Sequence, residues 1–207
     1  MLVGVLHNGA RRPQGQSVTM RVTAPEGSGA GVTCLIVTTI RDADSDDATS
    51  IASIVNALMS TTTIEWRYEP HTAESMLDWM RVHDCVLVAE DRNEIVGVAA
   101  FGPFRDTAKW PGYRFAVENT VHVRQDYWRA RIGSRLMEAL IVRAREGGKH
   151  SMIAAVDAAN EDSIQFHERL GFIEVARMPE VGVKFGRWLD LVLLELRLDD
   201  RPAPGEY

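Results

Sequence analysis

The residues best suited to chemistry lie in one run, Glu118 to Gly133: Glu-Asn-Thr-Val-His-Val-Arg-Gln-Asp-Tyr-Trp-Arg-Ala-Arg-Ile-Gly. The pattern predicts a β-strand, a tight arginine-rich loop, and the first turn of an amphipathic helix. A helix entered from a strand presents unpaired backbone N–H groups and the positive end of its dipole, a combination that suits phosphate. Arg129 and Arg131 add guanidinium groups beside Gly133 and Ser134, so this junction is a candidate polyanion cradle. Glu118 enters the same junction from the strand. Burial among apolar neighbours would raise its pKa toward that of a useful general base. Taken by residue type alone, a solvated strand carboxylate is the plainer reading.

A second group of candidates lies just upstream. Phe104, Arg105, Trp110, Tyr113 and Arg114 make a loop that is aromatic and basic, unlike an ordinary solvated connection. A planar guanidinium fork suits a carboxylate, so Arg105 and Arg114 are candidate carboxylate ligands. Trp66, Phe104, Tyr113 and the segment 183–188 are candidate pocket walls. Lys184 is a candidate contact to the same carboxylate or to a partner subunit.

These groups need a scaffold, and the bulk numbers bound it. The chain has 207 residues, 45% apolar, with a formal net charge of −6. That balance argues against a broad nucleic-acid surface, while local arginines can still hold a compact polyanion. Cys34 and Cys85 are the only cysteines and have no metal-ligand spacing, so neither a disulfide framework nor a metal site is expected. No apolar run reaches membrane-spanning length. The expectation is a soluble, reducing, cytoplasmic protein. P-loop, nucleophile-elbow and His-Glu-x-x-His motifs are all missing from the sequence, which sets those enzyme classes aside.

Residues 1–33 are rich in Gly and Pro with little periodicity, which predicts a disordered leader. A β-branched strand is expected over Cys34–Arg41, then a helix carrying Ile51, Ile54, Val55 and Leu58. Thr61–Trp66 is β-rich but irregular, a candidate lining for a site, and a second helix opens at Thr72. Strands Cys85–Glu90 and Ile95–Phe101 form a hairpin. Strand Ala116–Val123 leads through the junction to helix Ile132–Gly147. Strand Met152–Val156, a short helix Asn160–Leu170 ended by Gly171, and strands Phe172–Met178 and Leu189–Leu198 follow, with a loop at 183–188 between the last two. The order β-α-α-β-β-β-α-β-α-β-β predicts an α/β fold: one mixed sheet with helices on both faces, over residues 34–199, with a frayed tail at 200–207.

Two of these segments resemble a known family. Asp126-Tyr-Trp-Arg-Ala-Arg-Ile-Gly-Ser-Arg-Leu136 is similar to the acyl-CoA loop of the GNAT N-acetyltransferases, and Asn160 to Phe172, ending in Leu-Gly-Phe, resembles their second signature. Pro103-Phe-Arg105, Gly112-Tyr-Arg114, Val117 to Val123 and Met178 to Leu191 resemble the phosphinothricin acetyltransferase branch, and within it the L-amino acid N-acyltransferases that act on methionine sulfone and sulfoximine. One departure is visible: the family's first loop glycine falls on Arg131. The resemblance implies a mixed, mostly antiparallel GNAT sheet, acetyl-CoA as co-substrate without a metal, a small amino acid as acceptor, and a homodimer. It also implies roles: Glu118 as base, and backbone N–H near Val121, His122 and Val123 for the oxyanion. Arg129, Arg131, Ile132, Gly133 and Ser134 would hold the pyrophosphate, and Asn160 and Ser163 the pantetheine arm. His167 falls where many relatives place a Tyr that meets the thiolate, and a histidine there would either donate that proton or orient a neighbour.

Overall fold

Alternation and capping chemistry place the elements. A computed structural model of the protein describes residues 38–204, so the expected leader at 1–33 and the start of the first strand lie outside the described residues. The elements run β1 (Thr38–Asp42), α1 (Ala48–Thr61), α2 (Ala73–Val82), β2 (Cys85–Asp91), β3 (Glu94–Pro103), β4 (Ala116–Val123), α3 (Ile132–Glu146), β5 (Ser151–Asp157), α4 (Glu161–Arg169), β6 (Ile173–Lys184) and β7 (Arg187–Arg197). Helix α2 begins where Thr72 and Ser75 cap each other reciprocally, satisfying two backbone donors that the helix cannot.

The strands form a single sheet in the order β1-β2-β3-β4-β5-β7-β6. All neighbours are antiparallel except β4 and β5. The pleat sorts side chains to two faces. In the β2–β3 ladder the Val88–Val98 pair packs with Ile51, Val55 and Met76 of α1 and α2, whereas Leu87 and Ala99 pack with Leu136, Met137 and Leu140 of α3. Gly97 belongs under α3, because a Cβ there would sit 3.0 Å from Leu136 Cδ1 and 3.2 Å from the His122 carbonyl. Close approach of helix to sheet favours glycine at that point.

Of the local expectations, the loop at 183–188 is corrected. Thr61–Trp66 is irregular, as expected: α1 runs through Thr61, Thr62 Oγ1 bonds the Leu58 carbonyl at 2.6 Å, and the Trp66 indole N–H donates to the Thr63 carbonyl at 3.0 Å. With the chain folded back on itself in this way, no ladder can form. Residues 183–188 are not an open loop but the tip of the β6–β7 hairpin. Only Phe185 and Gly186 lie outside the strands, both at positive φ (51° and 72°), the geometry a two-residue hairpin turn demands. At the end of the expected domain Asp199 pairs with His150 at 2.6 Å, and the Arg201 guanidinium lies 5.0 Å from the Phe115 ring centre.

Candidate active site

The site is made by a split in the sheet. β4 and β5 pair in parallel only from Ala116–Ser151 to Glu118–Ile153 and then part. The Arg124 N–H bonds the Val96 carbonyl, and the Phe104 N–H bonds the Ala116 carbonyl. Those two bonds fix the parity of the ladder: even-numbered β4 residues bond to β3 and odd-numbered ones face the other way, where Asn119 closes the pairing with β5 and Val121 and Val123, beyond it, turn their N–H groups toward the split. A row of oriented backbone donors therefore faces a gap instead of a neighbouring strand, the arrangement that stabilises developing negative charge.

On the α3–α4 side the split opens into a groove of about 1110 Å³. All ten of Val121, His122, Val123, Arg129, Arg131, Ile132, Gly133, Ser134, Asn160 and Ser163 line it. The first backbone bond of α3 is Arg135 N–H to the Arg131 carbonyl, so the N–H groups of Ile132, Gly133 and Ser134 have no carbonyl within the helix and face anions by default. Asn160 caps α4 through its Oδ1, which accepts the Ser163 N–H at 3.2 Å, leaving its amide N–H groups as donors. Asn119, which drew no notice as a sequence position, is buried in the same wall with an unpartnered Oδ1. The set fits a long ligand with a pyrophosphate at one end and amides in its middle.

Arg129 and Arg131 both adopt left-handed backbone, at φ 65° and 59°. That conformation costs an L-residue about 1 kcal/mol relative to glycine. Arg131→Gly is therefore expected to raise the melting temperature of the ligand-free protein by about 2–4 °C, a shift that thermal unfolding of the two proteins would read directly.

On the α1–α2 side the split opens into a cleft of about 420 Å³ lined by Ile64, Glu65, Trp66, Trp79, His83, Glu118 and Asp157 among others. Asn119, Thr120, Ile64, Ala155 and Asp157 line both cavities, so the two meet at the split. The Glu118 carboxylate reaches water, yet burial between the cleft walls raises its pKa, and the nearby Arg105 charge only partly opposes this. His83 is held neutral: burial lowers its pKa, and its Nδ1–H donates to the Trp79 carbonyl at 2.6 Å.

The remaining expected residues are placed differently. Lys184 is not a substrate contact. It is 3% exposed, and its ammonium donates to the carbonyls of Met59 (2.7 Å), Thr62 (2.9 Å) and Glu65. Arg114 lies over Phe115 at 4.4 Å and donates to the Pro111 carbonyl, while Tyr113 packs on Phe104, with ring centres 6.0 Å apart. Neither Phe104, Arg105, Tyr113 nor Arg114 lines the cleft itself; Arg105 alone is near enough for its charge to act on Glu118. His167 takes the arrangement of the orienting reading. Its Nδ1 lies 2.8 Å from the Ser163 carbonyl, which can only accept, so Nδ1 carries the proton. Nε2 then accepts from the Asn119 amide at 3.3 Å, and burial lowers the pKa of the ring. A neutral imidazole with its one proton engaged orients Asn119; it has none to give a thiolate.

An anion-holding helix N-terminus and a carboxylate cleft, meeting at a row of free backbone donors, define an acyltransferase of the nucleotide-thioester type. The model of the acetyltransferase (GNAT) family matches residues 51–172, more than half of the chain, and the chain belongs to that family. It is 37% identical over 169 residues to the L-amino acid N-acyltransferase MnaT of Escherichia coli, covering 80% of this chain and 96% of the relative. It is 41% identical over 171 residues to a methionine sulfoximine/methionine sulfone acetyltransferase of Pseudomonas aeruginosa, covering 80% and 98%. A Salmonella typhimurium acetyltransferase solved with its cofactor acetyl-CoA superposes with a TM-score of 0.77 at 38% identity, over 81% of this chain and 98% of that one. This protein is an acetyl-CoA-dependent N-acetyltransferase. No helix among the described residues is long and apolar enough to cross a membrane.

Proposed function

We propose that the enzyme acetylates the α-amine of a small amino acid or analogue of the methionine sulfone, methionine sulfoximine or phosphinothricin type, with Glu118 as general base. The observation that carries this reading is the position of Glu118, on the acceptor side of the split whose other side is the cofactor groove. A carboxylate with a raised pKa there can take a proton from an entering ammonium, directly or through one water. The amine then attacks the thioester carbon, and the negative charge that gathers on the carbonyl oxygen faces the N–H groups of β4. As the C–S bond breaks the nitrogen loses its second proton, so that of the two protons shed one ends on the departing sulfur and the other, with Glu118 as carrier, in water. Arg105 supports recognition of the acceptor's α-carboxylate, because it is the cation whose field reaches Glu118.

The same reading includes a homodimer and a cytoplasmic location. In support of the dimer, Val181, Val183, Phe185 and Trp188 are exposed by 40–65% on the β6–β7 hairpin, at the sheet edge, an apolar patch of the kind partners cover. Use of acetyl-CoA supports the location.

The test is thiol release from acetyl-CoA with amino acids and their carboxamides. Saturating release is expected with at least one amino acid, and its carboxamide is expected to lower kcat/KM by about tenfold or more. Equal use of acid and amide would remove carboxylate recognition, and no release with any amino acid would remove the acceptor class.

A further inference from the structure

The lining of the acceptor cleft contains three carboxylates, Glu65, Glu118 and Asp157, and among the described residues no lysine or arginine. Glu118 has a task in the reaction proposed above. Glu65 does not, and its surroundings are unusual. Its Oε1 lies 3.3 Å from His122 Nε2 and its Oε2 3.7 Å from His71 Nε2, both imidazoles being buried. Thr120 Oγ1 is 3.3 Å from that same His122 nitrogen. Burial works to raise the Glu65 pKa, but the hydrogen bond and charge of His122, backed by His71, outweigh it and leave it below the usual value. The backbone is fixed as well, since the Glu65 carbonyl accepts from Lys184, and Trp66 lies so close over Gly182 that a methyl there would collide with the indole. A carboxylate held from both ends keeps its place when an acceptor enters.

Asp157 adds to the field. It is 5% exposed, its Oδ1 accepts the Ala159 N–H at 3.0 Å, and its Oδ2 has no partner where cleft and groove meet. With His83 neutral, the lining offers nothing to balance an anion.

We propose that Glu65 is the specificity-determining residue of the acceptor cleft, selecting an acceptor whose side chain carries a hydrogen-bond donor or a positive charge and rejecting one with a second anion. The inference rests on the amino acid reading above. With the α-carboxylate toward Arg105 and the amine at Glu118, the wall left for the side chain is Ile64 to Trp66 and Trp79. A sulfoximine presents an N–H to Glu65. A sulfone presents only oxygen acceptors. A phosphinate brings a negative charge against two carboxylates, and like charges in a walled site repel strongly.

The experiment compares kcat/KM for methionine sulfoximine, methionine sulfone and phosphinothricin in the wild type and in Glu65→Gln, with a melting curve for each protein. The wild type is expected to prefer sulfoximine over sulfone by about tenfold and over phosphinothricin by about a hundredfold. Glu65→Gln is expected to close the phosphinothricin gap by about tenfold or more while lowering the sulfoximine value. A wild type that uses phosphinothricin as well as sulfoximine overturns the inference whether or not the variant folds. A folded variant with all ratios within about twofold of wild type also overturns it, leaving Glu65 as a holder of histidines. Absence of release with every amino acid removes the acceptor reading itself, and this inference with it.

Discussion

Glu118→Gln is expected to lower kcat by about 10²- to 10⁴-fold while leaving the KM for acetyl-CoA near its wild-type value. The amide keeps the size of the side chain and loses only the ability to accept a proton. Because Glu118 lies across the split from the groove, the cofactor contacts do not depend on it. The pH profile discriminates further. Wild-type kcat/KM should climb through an ionisation above the ordinary glutamate value, since burial raises the Glu118 pKa, and the variant should lack that limb. The same shift has a stability consequence with a defined sign. Between the unfolded and folded pKa values the folded state holds the proton and the unfolded chain does not, so stability falls as pH rises through that window. Glu118→Gln removes this loss and should melt slightly above wild type at neutral pH. A variant that retains full activity across the profile would exclude Glu118 as the base.

Lys184→Met is expected to cost about 2–5 kcal/mol of stability and to raise KM for the acceptor. The ammonium is buried and gives all its hydrogen bonds to carbonyls at and just beyond the C-terminus of α1. Positive charge at that end of a helix is favourable, and removing it leaves inward-facing carbonyls without donors. Burial lowers the Lys184 pKa, with Glu65 opposing; the three acceptors are what make a buried cation tolerable there. Ile64, Glu65 and Trp66 line the acceptor cleft, so loosening them should be felt at the acceptor. Lys184→Arg should not restore stability, because a planar guanidinium cannot place three donors in the same compact arrangement. Chemical denaturation with activity measurements on the two variants would decide. A Met variant as stable as wild type would mean that the three carbonyls find other donors.

Glu118 and Lys184 are both visible in the sequence by type, and only the first is legible there by role. The sequence alone determined the sheet-and-helix order and the junction at Arg129 to Ser134. It also determined the position of Glu118 on its strand. These are local matters: strand alternation, helix capping and the free N–H groups of a helix start depend on residues near in the chain. The same locality made the paired segments around Arg131 and Asn160 recognisable.

Tertiary structure alone decided the rest. Lys184 reads as an available cation until the fold brings it onto carbonyls more than a hundred residues away. His167 reads equally as a proton donor or an orienting group until Ser163 and Asn119 fix its tautomer. Glu65 stands in an irregular stretch with no periodic signal, and becomes a cleft wall only because His122, His71, Lys184 and Gly182 converge on it. Asp157 ends an ordinary strand, and only the parting of β4 from β5 turns it toward both cavities. Residue type fixes what a side chain can donate, accept or ionise. Which of those capacities remains open depends on partners distant in sequence, and folding alone assigns them.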